Sequence, residues 1–144
     1  MHIFVINGPN LNLLGQREPE IYGSQTYADL QALVETTCAR EGLSVEIFQS
    51  NHEGALVDII QSAREKADGI VINPAAYSHT SIAMLDALKA VNLPAVEVHL
   101  SDLTKREAFR QISYPGMACI HTVMGQGLEG YQQAISHLSA HLKG

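Results

Sequence analysis

Between Asn7 and Tyr22 the chain reads Asn-Gly-Pro-Asn-Leu-Asn-Leu-Leu-Gly-Gln-Arg-Glu-Pro-Glu-Ile-Tyr, directly after the apolar run Ile3 to Ile6. Three amides (Asn7, Asn10, Asn12), a guanidinium (Arg17) and a phenol (Tyr22) sit among Gly8, Pro9, Gly15, Pro19 and Gly23, so neither helix nor strand can absorb them into a regular face. Amides and guanidinium groups can stabilise a developing negative charge, and a phenol can remove a proton once it is ionised. With an ordinary pKa near 10, roughly one phenol in a thousand is ionised at pH 7, a handicap of about 4 kcal/mol. A phenolate base therefore needs a cation beside it, and Arg17, in the same loop as Tyr22, could supply one. The loop's glycines and prolines would let it close over a substrate and exclude water, which strengthens that interaction. A surface loop without chemistry is the competing reading.

The segment Ala95 to Leu100 carries the second set of groups. Strand residues two apart share a face, so Glu97 and His99 point one way while Val96, Val98 and Leu100 point the other. An ionised carboxylate on a central strand costs several kcal/mol or more unless it is paired, so Glu97 is expected to hold His99. A carboxylate on one ring nitrogen fixes the tautomer and orientation of imidazole, which suits a general acid or base; a structural pair at a sheet edge is the alternative. Asn73, followed by Pro-Ala-Ala-Tyr-Ser-His79, offers an amide that could donate to an oxyanion or tie down the loop backbone. Lys105, Arg106 and Arg110 form either a solvated helix face or part of an anion site.

Positioning such groups requires a scaffold, and the pattern of the chain supplies one. Strand-like runs at Ile3 to Ile6, Val45 to Phe48, Ile70 to Ile72, Ala95 to Val98 and Cys119 to Val123 alternate with segments of helical periodicity. The helical stripes are Leu30, Val34 and Cys38; Leu56, Ile59 or Ile60, and Ala63; Ile82, Leu85 and Leu88; and Tyr131, Ile135, Leu138 and Leu142. Thr26 can cap the first helix, Gly42 and Gly69 lie just past helices, and Pro94 separates the third helix from its strand. Strict alternation with strands apolar on both faces predicts a three-layer, flavodoxin-like α/β fold, a five-stranded parallel sheet of order 2-1-3-4-5 with helices on both faces. At 144 residues and 46% hydrophobic content the expectation is one domain spanning 1–144. The link from Ser101 to Gly116 is weaker as a helix and is expected to be irregular in part. Ligands of such sheets bind beyond the carboxyl ends of the strands, near the reversal of strand order, which selects Asn7, Asn10, Asn12, Arg17 and Tyr22, then Asn51, His52 and Glu53, then Asn73 and His79, and finally Glu97 and His99.

Several functions are disfavoured. A net charge of -6 with nine Lys plus Arg argues against nucleic acid or an anionic membrane as partner, so an anionic ligand must be held locally. Cys38 and Cys119 form no C-x-x-C pair, and the N-terminal apolar run is too short for a signal or a span, so the cytoplasm is the expected location. Gly125-Gln-Gly-Leu-Glu-Gly130 fits a dinucleotide fingerprint, but only 14 residues follow it, too few for the ribose-binding acid about 20 residues on, and a tight turn is expected. His137 and His141 have the spacing of a metal pair with no third ligand evident near them. None of the four lysines, Lys66, Lys89, Lys105 and Lys143, falls at a strand end, which disfavours a Schiff base. A flavin or phosphoaspartate protein of this fold would need a hydroxyl-rich phosphate loop or paired acids after the first strand; neither is present.

Taken together, Asn7-Gly-Pro-Asn-Leu-Asn-Leu-Leu-Gly, Arg17-Glu-Pro-Glu-Ile-Tyr-Gly, Gln49-Ser-Asn-His-Glu-Gly, Asn73-Pro-Ala-Ala-Tyr-Ser-His-Thr-Ser and Glu97-Val-His-Leu-Ser closely resemble the type II 3-dehydroquinate dehydratases of the shikimate and quinate pathways. The resemblance runs nearly end to end. It implies a flavodoxin-like fold, a homododecamer arranged as a tetramer of trimers, no metal or organic cofactor, and anti elimination of water from 3-dehydroquinate through an enolate to give 3-dehydroshikimate. It further implies Tyr22 as the base, Arg17 as the cation that lowers its pKa, Asn12 with a water at the enolate oxygen, and His99, held by Glu97, as the acid. Asn73, His79 and Arg110 would hold ring hydroxyls, Ser101 and the backbone N–H groups of Leu100 and Ser101 the carboxylate, and Asp86 would reach a neighbouring subunit's site. Asp102 departs from the asparagine usual in the family; it is expected to weaken carboxylate binding unless it turns away to cap the short helix containing Arg106. A non-catalytic assembly or binding protein that keeps the fold is the alternative.

Overall fold

The computed structural model describes residues 1–16, 20 and 24–144. The apolar runs form strands β1 (His2–Asn7), β2 (Ser44–Gln49), β3 (Gly69–Asn73), β4 (Ala95–His99) and β5 (His121–Met124). Every neighbouring pair is parallel and the order is β2-β1-β3-β4-β5, the flavodoxin-like arrangement. Among the described residues, the long helices are α1 (Tyr27–Glu41), α2 (Glu53–Lys66), α3 (Ile82–Val91) and α4 (Glu129–Lys143).

Alternation along the strands divides the core in two. Ile3, Val5, Val71, Val96 and Val98 face α1 and α4, where Leu30, Val34, Tyr131, Ile135 and Leu138 close over them. Phe4, Ile6, Ile70 and Ile72 face α2 and α3, against Leu56, Ile60, Met84 and Leu88. Each such side chain contributes about 1.5–3 kcal/mol on full burial, so a slip of one residue in any central strand would be prohibitive. Both thiols are free, and burial first, then a nearby carboxylate, pushes Cys38 up to about 11 and Cys119 up to about 12.

Capping follows local chemistry. Thr26 and Asp29 form a reciprocal box, with Asp29 N–H donating to Thr26 Oγ1 at 3.2 Å and Thr26 N–H to Asp29 Oδ2 at 2.9 Å. Ser81 Oγ accepts from the Met84 N–H at 3.0 Å and starts α3, and Asn92 ends it in the left-handed conformation just before Leu93-Pro94. Four expectations need correcting. β5 begins at His121, because Pro115–Ala118 forms a 3-10 turn whose Gly116 carbonyl takes the Cys119 N–H. Ile82, the first residue of α3, faces outward, and Met84, Leu85, Ala87, Leu88 and Val91 make its buried face. Gly130 already lies inside α4 against Val98, so the turn around Gly125 and Gly127 ends at Leu128. The link from Ser101 to Gly116 contains the 3-10 turns Leu103–Lys105 and Ala108–Arg110, so no helix face of Lys105, Arg106 and Arg110 exists.

Candidate active site

The carboxyl ends of β1 and β3 meet where the strand order reverses. Asn7 and Asn73 are register partners, and the Gly8 N–H donates to the Asn73 carbonyl at 2.8 Å. A Cβ on Gly8 would run into the Pro74 carbonyl, so only glycine lets the two loops come this close. Beyond this junction lies a cavity of about 190 Å³. The loop after β1 lines it with Asn10, Leu11 and Leu14, the β3 end with Asn73, Ala75 and His79, and the β4 end and its link with His99, Leu100, Ser101, Arg106 and Arg110.

β4 brings Glu97 and His99 together as expected from its sequence. Glu97 and His99 are 2% and 4% exposed, on the face opposite Val96 and Val98. His99 Nε2 lies 2.8 Å from Glu97 Oε2, close enough for an ion pair although off the line of a good hydrogen bond. Two hydroxyls complete the carboxylate's surroundings: Ser113 donates to Oε2, and Thr122, the register partner of Glu97 on β5, donates to Oε1 at 3.0 Å. Burial pushes the Glu97 carboxyl up, but the His99 imidazole and the two donated hydroxyls outweigh it and hold the group below the usual carboxylate range. Glu97 is therefore the ionised partner, and it touches His99 rather than the cavity.

Gly116 closes this cradle. Its N–H donates to Ser113 Oγ at 3.2 Å, and a Cβ at this position would collide with the Glu97 carboxylate. Because that carboxylate is buried and held on both oxygens, it cannot swing away freely. Gly116→Ala is expected to destabilise the protein by about 1–3 kcal/mol through overpacking and to displace the His99 partner. Thermal unfolding and turnover measured together check it: a variant with native Tm and native kcat would show that the contact yields without consequence.

The remaining site residues divide clearly. His79 Nδ1 lies 2.7 Å from the Ile112 carbonyl, which makes Nδ1 the donor and leaves Nε2 the acceptor of the neutral ring. Arg110 Nε donates to Glu107 Oε2 at 3.2 Å, and Arg106 Nη1 donates to Ser101 Oγ at 3.1 Å. Asp102 turns away as a cap, its Oδ1 accepting from the Thr104 N–H at 2.9 Å and from Thr104 Oγ1 at 2.7 Å; the turn it caps ends at Lys105, one residue short of Arg106. Asn12 is exposed, accepts from Gln49 Nε2 at 3.3 Å, and is not among the residues lining the cavity, whereas Asn10 is. Asp86 is exposed on α3 and does not line the cavity either. Arg17 and Tyr22 lie outside the described residues. Of the residues after β2, Asn51 organises the neighbouring loop by accepting the Asn10 N–H at 3.0 Å, and His52 caps α2 without a side-chain bond. His137 stacks on His121 with ring centroids 4.0 Å apart, remote from the cavity lining.

Sequence reasoning missed Ser113, Gly116 and Thr122, and left Arg106 undecided between a solvated face and an anion site. Arg106 stood in the basic cluster and could have been weighed with Arg110. The other three owe their place to strand register and to the fold of the link, for which spacing gives no signal.

A doubly wound parallel α/β protein with a buried His–Glu pair, amides and guanidinium groups at the switch point has the groups to hold a small polar anion and to carry a proton to or from it. A family model described as dehydroquinase class II matches residues 1–139, and the chain belongs to that family. It is 54% identical over 136 residues to a protein of Cereibacter sphaeroides named 3-dehydroquinate dehydratase, covering 94% of this chain and 92% of the relative. It is 50% identical over 141 residues to the catabolic 3-dehydroquinase of Aspergillus oryzae, covering 98% and 92%. The crystal structure of type II dehydroquinase from Butyrivibrio crossotus superposes with a TM-score of 0.94 at 49% identity, covering 96% of this chain and 97% of that one.

Proposed function

We propose that this protein is a hydro-lyase that removes water from 3-dehydroquinate to give 3-dehydroshikimate, in the shikimate and quinate routes. The observation that carries this reading is the buried Glu97–His99 pair opening on a cavity walled by Asn73, His79, Arg106 and Arg110, in a chain about half identical to proteins named for that reaction.

In the proposed mechanism Tyr22, ionised beside Arg17, removes the proton next to the ketone, and the electron pair moves onto the carbonyl oxygen as an enolate. Asn12, through a water, stabilises that oxygen. Collapse of the enolate expels the β-hydroxyl, and His99, oriented by Glu97, gives it the proton with which it leaves as water. The fixed cationic wall supports the binding assignments: Arg110 with Asn73 and His79 holds ring hydroxyls, and Ser101, with the backbone N–H groups of Leu100 and Ser101, holds the carboxylate. Arg106, hydrogen-bonded to Ser101, adds positive charge at that end. Asp102, turned to cap the bend at Thr104, is not among the residues lining the cavity.

The catalytic unit is read as one domain that works in the cytoplasm as a homododecamer, a tetramer of trimers. Phe109, Ile112, Met117 and Ile120 leave large apolar side chains exposed on the 109–120 stretch, Phe109 by 64%, as an interface between copies would require. Asp86, outside the cavity of its own chain, is assigned to a neighbour's site. No helix among the described residues is long and apolar enough to cross a membrane.

Purified protein mixed with 3-dehydroquinate in the presence of a chelator is expected to raise the absorbance of the conjugated enone product. A flat trace would end this reading. Borohydride added with substrate is expected to leave activity intact, since no Schiff base forms; inactivation would overturn Tyr22 as the base.

A further inference from the structure

We propose that Tyr131 is a positioning residue of this site: by engaging one N–H of the Asn73 amide, whose oxygen the Ala75 N–H already holds, it locks the amide in place so that this wall offers a ligand the second N–H as a donor. The inference rests on the reading above, in which Asn73 holds a hydroxyl of the substrate. Tyr131 is fully buried in the first turn of α4 and does not line the cavity. Its hydroxyl reaches the carboxyl ends of β1 and β3, where it meets Asn7 and Asn73.

The polarity of this network is set by a group that can only donate. Ala75 sits in the left-handed region at φ 52°, about 1–2 kcal/mol unfavourable for a residue with a Cβ, and its N–H donates to Asn73 Oδ1 at 3.0 Å. The other amide atom, Nδ2, must then face Tyr131, and it donates to the phenolic oxygen at 3.0 Å. With its oxygen accepting, Tyr131 gives its own proton to Asn7 Oδ1 at 2.6 Å. Asn7 is thereby turned to donate from Nδ2 to Tyr27 Oη at 3.3 Å. Burial pushes the Tyr131 phenol up, so the hydroxyl keeps the proton this chain needs. No member can reverse without leaving a buried donor facing a donor or an acceptor facing an acceptor.

Two consequences reach the cavity. One Asn73 amide hydrogen is engaged by Tyr131 and the other remains to donate to a ligand oxygen, while Oδ1 is already engaged by the Ala75 N–H. His79, with Nδ1 committed to the Ile112 carbonyl, has the opposite character at Nε2. A fixed donor and a fixed acceptor on one wall suit a hydroxyl, which accepts and donates at once.

With 3-dehydroquinate as substrate, Tyr131→Phe is expected to raise KM about tenfold while lowering kcat less, and to leave KM unchanged when made in an Asn73→Ala background. A rise of equal size in both backgrounds overturns the inference, because a merely structural loss does not need Asn73. If Asn73→Ala alone leaves KM unaltered, the substrate reading of Asn73 fails, and nitrogen–proton correlation NMR of the ligand-free protein decides the positioning separately. The two Asn73 amide protons are expected to be well separated and slow to exchange, and to move toward exposed-amide positions in Tyr131→Phe. Signals that the substitution leaves unchanged overturn the inference. Should Tyr131→Phe not fold, the native protein still decides, since fast exchange of both Asn73 protons is incompatible with the network.

Discussion

Replacing Tyr22 by phenylalanine is expected to lower kcat for 3-dehydroquinate by about 10²–10⁴-fold, the range a positioned proton-transfer group contributes. The substitution deletes one oxygen and leaves the ring, so circular dichroism and Tm should match the parent. Substrate contacts assigned to Asn73, His79 and Arg110 are untouched, and KM should change far less than kcat. Arg17→Ala should act through the same step by a different route. Without the cation the phenol ionises less readily, so the alkaline rise of kcat against pH should move to higher pH while the maximal rate remains within reach. Near-normal turnover by Tyr22→Phe at neutral pH would mean that another group removes the proton.

The second large effect is expected at Glu97. Glu97→Gln keeps the shape of the side chain but replaces a charged acceptor of three contacts by an amide, half of which can only donate. His99, Ser113 and Thr122 all face that position, so one or more is left opposite a donor. The imidazole loses the carboxylate that fixes its tautomer, and by the logic of a base held by an acid, kcat should fall by about 10²–10⁴-fold. Stability carries a matching signature. The Glu97 carboxyl is held below its ordinary value of 4.5, so its contribution is fully present above that value and fades as pH falls toward the lower folded value. The Tm gap between parent and Glu97→Gln should therefore be widest near neutrality and narrow in acid. A gap independent of pH would show that the charge of Glu97 adds nothing to the fold.

The scaffold was legible because its signals are local and repeated. Apolar runs such as Ile3 to Ile6 and Ile70 to Ile72 can only be buried on both faces, while Thr26 and Gly42 mark the ends of the first long helix and Pro94 the start of a strand. Glu97 and His99 were legible for the same reason, since two polar residues sharing a strand face announce themselves inside a valine run. Boundaries failed where a turn took over backbone groups that a strand would use, as the Gly116 carbonyl does for Cys119. Thr122 could be paired with Glu97 only once the register of β4 and β5 was known, and Gly116 only once the link had folded back over the sheet. Asn10 and Asn12 illustrate a finer limit. Both are amides in one loop, and spacing gives no sign that Asn10, left-handed at φ 70°, lines the cavity while Asn12 accepts from Gln49.

The excursion between Ser101 and Gly116 brings two tasks under one mechanical control. It presents Arg106 and Arg110 to the cavity, and a few residues later it places Ser113 and Gly116 against the carboxylate behind His99. It is moored to the β3 side at two points, Tyr114 N–H to the Ser78 carbonyl at 2.8 Å and the Ile112 carbonyl to His79. Under the proposed mechanism, grip on the ligand and readiness of the proton donor therefore cannot drift independently: whatever loosens this strap loosens both, and whatever tightens it sets both at once.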